Sequence, residues 1–240
     1  MISPTIEPHD LVLLHEDDDL IVVDKPPMLH SVRGQGASVA DLLAVRFPTL
    51  LTSSPNQSDV GLVNRLDFET RGVLIAARSP KVWASLRDKW NHHQIEKIYR
   101  ARVIGIPPPL TKVVGFIGAK SRRSAKVAFS RTQKPRYSYT ESVVKKESVD
   151  VTGGTSVVSV STRTGARHQV RAHLASIGFP LQYDNLYGAP PSDEHSFLLI
   201  AATVSWCHQG RTFLFRSRFE VPGQQAGSFP THCDGTTVSR

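Results

Sequence analysis

The sequence predicts an α+β fold built on a mostly antiparallel sheet with flanking helices. Three observations lead there. Short runs rich in Val, Ile, Phe and Tyr recur between Gly, Pro or polar turns; only three stretches read as helices; and strands and helices do not alternate as βα units would.

The strand candidates begin with residues 11–16 and 20–26, which flank the acidic turn Asp17-Asp18-Asp19. Residues 72–79, 97–105, 155–164, 197–206 and 212–220 follow. In KIYRARVIG (97–105), Ile98, Arg100, Arg102 and Ile104 alternate with Tyr99, Ala101 and Val103, a partly amphipathic pattern that fits a central strand with one wet end. Ser38 is a good N-cap for a helix over 39–47, which stops before Pro48. Ser79 and Pro80 supply the N-cap and first turn of a second helix, 80–93. Its apolar stripe of Val82, Trp83, Leu86 and Trp90 has core-facing spacing, so both tryptophans read as packing rather than ligand-stacking groups. A third helix, 168–178, ends on Gly178. Residues 106–150 are the least regular, since IPPPL (106–110) cannot continue a strand ladder. The polar stretch from 222 onward reads as a flexible tail. No boundary divides the rest, so one domain over 1–221 is expected, with 222–240 as the tail.

A chain of 240 residues can bury a core without disulfides. Its formal charge, 29 − 21 = +8, favours a polyanionic partner, nucleic acid above all. Cys207 and Cys233 form neither a CxxC pair nor a metal spacing, which argues against zinc and a disulfide framework and for a reducing compartment. No apolar run approaches the roughly 18 residues of a membrane span, and MISPTIEPHD lacks a signal-peptide pattern. A monomer in the cytoplasm or an organelle matrix is expected.

One carboxylate stands out. In GLVNRLDFETRGVLIAARS (61–79), Asp67 precedes the apolar run Val73–Ala77. It is either a turn residue capping backbone amides or a nucleophile or base at a cleft edge, which would need a cation to stay ionised. The basic run RTGARHQVRAHLASIG (163–178) offers one: Arg163, Arg167 and Arg171 sit four apart. With a helix starting near Gly165, Arg167 and Arg171 share a face, and TGARHQ suits a phosphate or carboxylate. His168 and His173 are five apart, a poor metal pair, and no metal is expected. The second basic cluster, GAKSRRSAK (118–126), carries Lys120, Arg122 and Arg123 in a hairpin-like region and reads as a solvated loop or an RNA contact.

Four segments, in order, resemble the RluA-type pseudouridine synthases over about residues 10–219. DDLIVVDKPPMLHSVRG (18–34) is similar to that family's DDxxLVVNKPxGLxVHPG, and GLVNRLDFETRGVLIAARS to HRLDxxTSGLLLxAK. EKIYRARVIG (96–105) is similar to KxYxAxVxG, and RTGARHQVRAHLASIGFPLQYDNLYG (163–188) to TGRTHQIRxHLxxxGxPIxGDxxYG. The resemblance implies the pseudouridine synthase catalytic fold with a central RNA-binding cleft, and isomerisation of uridine in rRNA or tRNA with no cofactor. Asp67 falls on the catalytic aspartate, and Tyr99 on the tyrosine that stacks on the target base and serves proton transfer at C5. Arg171 falls on the arginine that pairs with the aspartate. Arg65 is expected to contact the RNA backbone or help extrude the nucleotide. Lys25 and Pro26 lie in a motif whose role is mainly structural. The expected RNA-binding set adds Arg163, Arg167, His168, Gln169, Lys120, Arg122 and Arg123.

The chain departs from the pattern at six places. Asn64 stands for a histidine, Phe68 for a polar residue, Arg71 for a serine and Ala166-Arg167 for Arg-Thr. Tyr183 stands for a glycine, and Ile200 for a common histidine. The S4 RNA-binding module of some relatives is not expected, since only about ten residues precede the first strand. The alternative reading is a catalytically weak or inactive RNA-binding, ribosome-assembly factor on the same fold. A glycosidase would need a second carboxylate, and Asp184 has no spacing that supplies one.

Overall fold

Alternating and continuous apolar runs do build the expected strands. The computed structural model describes residues 10–34, 36–119, 121, 124–190, 192 and 196–222. These form two compact units: residues 10–92 with 201–219, and residues 93–200 with 220–222. The predicted tail lies outside the described residues, apart from its first position.

In the first unit, β1 (Val12–Glu16) and β2 (Leu20–Lys25) form an antiparallel hairpin. Asp17 closes it: its Oδ1 accepts from the amides of Asp19 at 2.9 Å and Leu20 at 2.7 Å. β2 is buried along its whole length and pairs with β3 (Arg71–Ala77), from Leu20 opposite Ala77 to Lys25 opposite Gly72. The strand β9 (Leu199–His208) lies beside β3, and β10 (Arg211–Arg216) pairs with β9. Helix α1 (Val39–Arg46) starts where Ser38 caps the Asp41 amide. Its Val39 and Leu43 join Ile21, Val23, Leu50 and Leu74 in one core. Helix α2 (Pro80–Asn91) is capped by Ser79 as expected. Leu86 is buried; Val82, Trp83 and Trp90 are half-buried. The Trp83 indole donates to the Leu62 carbonyl at 3.1 Å. This is a packing role with a satisfied polar tip.

The second unit is an antiparallel sheet of β4 (Glu96–Ile104), β5 (Leu110–Ala119), β6 (Val127–Ser130), β7 (Ser138–Asp150) and β8 (Thr155–Thr162), ordered β4-β8-β7-β5-β6. β4 heads this order, yet both its edges are hydrogen-bonded, which fits the inner strand that its pattern predicts. One edge pairs with β8; on the other, Arg102 N donates to Leu198 O, Ile104 N to Pro180 O, and Gln182 N to Arg102 O. Ala101, Val103, Val144, Val158, Val160 and Leu174 form its core.

Two sequence expectations need correction. Residues 106–150 are not irregular: they hold β5, β6 and β7, and Pro107–Pro109 simply precede the ladder. The pattern was obscured because Thr140 and Ser142 occupy buried positions on β7. They are satisfied by His173, which sits 3.0 Å from Thr140 Oγ1 and 2.9 Å from Ser142 Oγ. Burial pushes the His173 imidazole down to about 4, so it is neutral at pH 7. The third helix, α3, runs Gln169–Ser176, close to the predicted 168–178, but it does not start near Gly165, the condition for Arg167 and Arg171 to share a face. His168 precedes it in the left-handed region at φ 53°, which stops the helix propagating back.

Gly72 sets how closely β3 approaches β9. Its φ is +118°, and a Cβ there would lie 2.3 Å from the Ala201 carbonyl oxygen. Neither term can relax without moving backbone, so Gly72→Ala should cost at least about 2 kcal/mol. Urea unfolding of the variant, read as a fall in midpoint at unchanged slope, checks this.

Candidate active-site residues

Asp67 lies in an irregular segment that leads directly into β3, and it is half-buried. The backbone on both sides of it is tied down. Ser31 Oγ donates to the Leu66 carbonyl at 2.8 Å and accepts from the Leu66 amide at 2.9 Å. Lys25 Nζ donates to the carbonyls of Phe68 at 3.0 Å and Pro26 at 2.9 Å. The Thr70 amide donates to the Asp67 carbonyl at 3.1 Å, closing the turn. The backbone that carries this carboxylate is thus fixed by its neighbours.

Lys25 is 0% exposed, the most completely buried cation among the described residues of the first unit. Desolvation pushes its ammonium down to about 7, against the pull of the Asp67 and Glu69 carboxylates; Arg71 pushes the same way as burial. The sequence reading gave Lys25 a structural role, and the hydrogen bonds agree. The electrostatic link to Asp67 was not legible, because it needs the fold to bring residues 25 and 67 together.

Two departures from the family pattern also have a local account. The Asn64 side chain takes a place in the β3 ladder, with Nδ2 donating to Val73 O at 3.1 Å and Oδ1 accepting from Ile75 N at 2.9 Å. Phe68 packs its ring on His30, with centroids 4.6 Å apart.

In the second unit, Tyr99 sits on β4 opposite Val160 and is half-buried against the core. Arg171, on α3, is 6% exposed. Its Nε and Nη2 donate to Asp184 Oδ2 at 2.7 Å and Oδ1 at 2.9 Å, a bidentate pair. Its guanidinium also lies over the rings of Phe197 at 4.5 Å and Tyr187 at 5.0 Å. Asp184 was missed by the sequence reading as a partner, although it is the aspartate of the resembled GDxxYG segment. Tyr183 before it adopts φ 69°, a left-handed backbone that glycine enters freely and tyrosine only at a cost of roughly 1–2 kcal/mol. That explains a glycine in the pattern at this position.

The expected RNA-binding residues divide by exposure. Arg65 is exposed and paired with Asp59 at 2.8 Å. Arg163 and Arg167 are exposed on the loop before α3. Arg167 does not share a helix face with Arg171, because it precedes the helix; it donates to the Ser124 carbonyl at 2.7 Å. His168 Nδ1 lies 3.1 Å from the Tyr187 hydroxyl. Gln169 is 5% exposed, and its Nε2 lies 2.7 Å from Thr164 Oγ1 and 2.9 Å from Thr162 Oγ1. Its Oε1 accepts from the Ala166 amide at 3.1 Å. Buried Lys97, pushed down to about 8 by desolvation, donates to the carbonyls of Arg163 and Thr164 at 3.0 and 2.9 Å. Lys120, Arg122 and Arg123 lie outside the described residues. Among the described residues, no group of three His, Cys, Asp or Glu side chains could hold a metal ion, and no helix is long and apolar enough to cross a membrane.

Comparison with known proteins places these segments. The family described as RNA pseudouridylate synthase matches residues 19–176. The chain is 30% identical over 190 residues to an uncharacterised RNA pseudouridine synthase of Mycobacterium bovis, covering 78% of this chain and 59% of that one. It is 30% identical over 213 residues to the dual-specificity RNA pseudouridine synthase RluA of Vibrio cholerae, covering 86% and 81%. It is 32% identical over 186 residues to ribosomal large subunit pseudouridine synthase D of Nitrosomonas europaea, covering 76% and 51%. The chain spans about three fifths of the first of these relatives and half of the last. Among solved structures, human RNA pseudouridylate synthase domain containing 1 superposes with a TM-score of 0.73 at 19% identity, covering 90% of this chain and 86% of that one, which establishes the fold. The chain therefore belongs to the RNA pseudouridylate synthase family, in its RluA-type branch.

Two outcomes follow from the buried charges. Asp184→Ala strands the Arg171 guanidinium and should destabilise by about 3–5 kcal/mol in urea unfolding. Lys25, with its folded pKa near 7 and an unfolded value of 10.5, binds fewer protons folded than unfolded between those values. The cost of burying its charge is complete below pH 7 and is relieved as pH rises from about 7 toward 10.5, so stability gains a rising component in that window. Lys25→Met should flatten the midpoint-versus-pH curve there relative to wild type; parallel curves would show that Lys25 titrates normally.

Proposed function

We propose that this protein is an RNA pseudouridine synthase that isomerises uridine in structured RNA, rRNA or tRNA, through Asp67 and a flipped nucleotide. The observation that carries the reading is the aspartate segment. Its backbone is pinned by Ser31 and Lys25 while the Asp67 side chain stays partly open. Such a group is positioned for chemistry more than for stability.

The reaction breaks the C1′–N1 bond and forms a C1′–C5 bond. The C5 proton is lost and N1 gains one, so the product is an isomer and no oxidant or group donor is consumed. An ionised carboxylate starts this as nucleophile at the sugar or as base for elimination. A stacked or paired uridine is out of reach, so it is flipped at a cost of a few kcal/mol. The ring of Tyr99 offers the detached base a face to turn against, and its hydroxyl a route for the C5 proton. Arg171, immobilised by Asp184, is the residue that the family resemblance pairs with Asp67. Exposed Arg65, Arg163 and Arg167 take RNA phosphates, with Lys120, Arg122 and Arg123 extending the basic set. His168 and buried Gln169 shape the loop that presents Arg163 and Arg167. The net charge of +8 supports a polyanionic substrate, and binding should weaken steeply with salt.

RNA carrying tritium at C5 of uridine tests the chemistry. Wild type should release label, and Asp67→Asn should release none above background. Tyr99→Phe should retain stacking and lose the hydroxyl role, while Tyr99→Ala should lose both; equal, unimpaired rates would remove Tyr99 from the mechanism. Wild-type protein that binds RNA tightly but never releases label would favour the assembly-factor reading.

A further inference from the structure

Arg71 stands where the resembled motif carries a small serine, four residues after Asp67 and at the first position of β3. Two consecutive side chains there hold orphan donors. Thr70 Oγ1 and Arg71 Nε are both buried with no hydrogen-bond partner among the described residues. A buried donor left unmade is costly, and each such group calls for an explanation in strain or in function.

The guanidinium is not a loose surface group. Its carbon lies 5.6 Å from the centroid of the Phe219 ring. That ring is carried by a turn fastened to Asp24, which is 2% exposed. Asp24 accepts from Ser217 Oγ at 2.8 Å and from the Arg218 amide at 2.6 Å, and Ser217 Oγ accepts from the Phe219 amide at 3.1 Å. On the other side, Gly72 fixes the backbone against Ala201. The arginine is thus stacked, oriented and only partly exposed. Burial lowers its pKa without neutralising it, since arginine stays charged in proteins. The charged groups that act with it on Lys25 are Asp67 and Glu69.

We infer that Arg71 is a substrate-binding residue that grips a phosphodiester of the RNA strand beside the uridine presented to Asp67. A planar, preoriented guanidinium fits two phosphate oxygens through its terminal amino groups, which are not among the buried atoms left without a partner, and a serine at this position could not make that contact. The inference rests on the proposed pseudouridine synthase reading for the identity of the ligand, and its test is a binding measurement that needs no turnover.

The probe is a short RNA hairpin with a loop uridine, titrated against the full chain at several salt concentrations. Arg71→Ser and Arg71→Gln should each weaken binding roughly tenfold at low salt and reduce the log–log salt slope by about 0.7–0.9, the value of one phosphate. A hairpin with one neutral methylphosphonate next to the uridine should bind wild type with the same loss, and the variants with no further loss. In label-release assays KM should rise with kcat little changed. Thermal unfolding confirms that at least one variant is folded; Arg71→Gln keeps most of the side-chain volume for this purpose. Folded variants with wild-type affinity and salt slope would overturn the inference, and so would a phosphonate effect equal in wild type and variant. Wild type that binds the hairpin without releasing label would defeat the catalytic reading alone, leaving Arg71 to be judged on binding.

Discussion

A buried ammonium that donates to backbone carbonyls is the constraint on which each motif loop depends. In the first unit Lys25 reaches across the chain to the carbonyl of Phe68 and so holds the residue after Asp67. In the second, Lys97 holds the carbonyls of Arg163 and Thr164 at the root of the basic loop. Burying a lysine is expensive, and the lowered pKa values near 7 and 8 record that cost. Carbonyls are neutral acceptors, so they satisfy the ammonium without cancelling its charge. The field of Lys25 therefore remains available to the carboxylates of Asp67 and Glu69.

Arg171 is handled differently. It is fully paired, with a bidentate carboxylate and two aromatic faces around it. Such packing fixes the direction of the guanidinium at the expense of mobility. The loop before α3 is equally over-determined: Gln169 ties Thr162, Thr164 and Ala166 together from inside, while Arg163 and Arg167 stay at the surface. One segment thus separates the residues that shape a site from those that can meet a ligand.

Much of this was legible in the residues. Capped helices at Ser38 and Ser79 and the buried run LIVVDK followed from propensity and pattern. The ordered motifs marked Asp67, Tyr99 and Arg171 by resemblance. What failed did so for identifiable reasons. β7 was hidden because its inward positions Thr140 and Ser142 are polar, and only the packed His173 makes them tolerable. α3 begins one residue after its predicted start, and the shared face for Arg167 and Arg171 fails because nothing in TGARHQ reveals that His168 turns left-handed.

The sequence by itself determined the family and the strand-rich α+β class and marked Asp67 as the candidate aspartate, because these depend on short-range pattern and on residue type. Only the tertiary structure decided which cations are buried, which carboxylate holds Arg171, and which donors at Thr70 and Arg71 are left without acceptors. Desolvation and hydrogen-bond pairing are properties of surroundings assembled from distant parts of the chain, and no local run of residues encodes them.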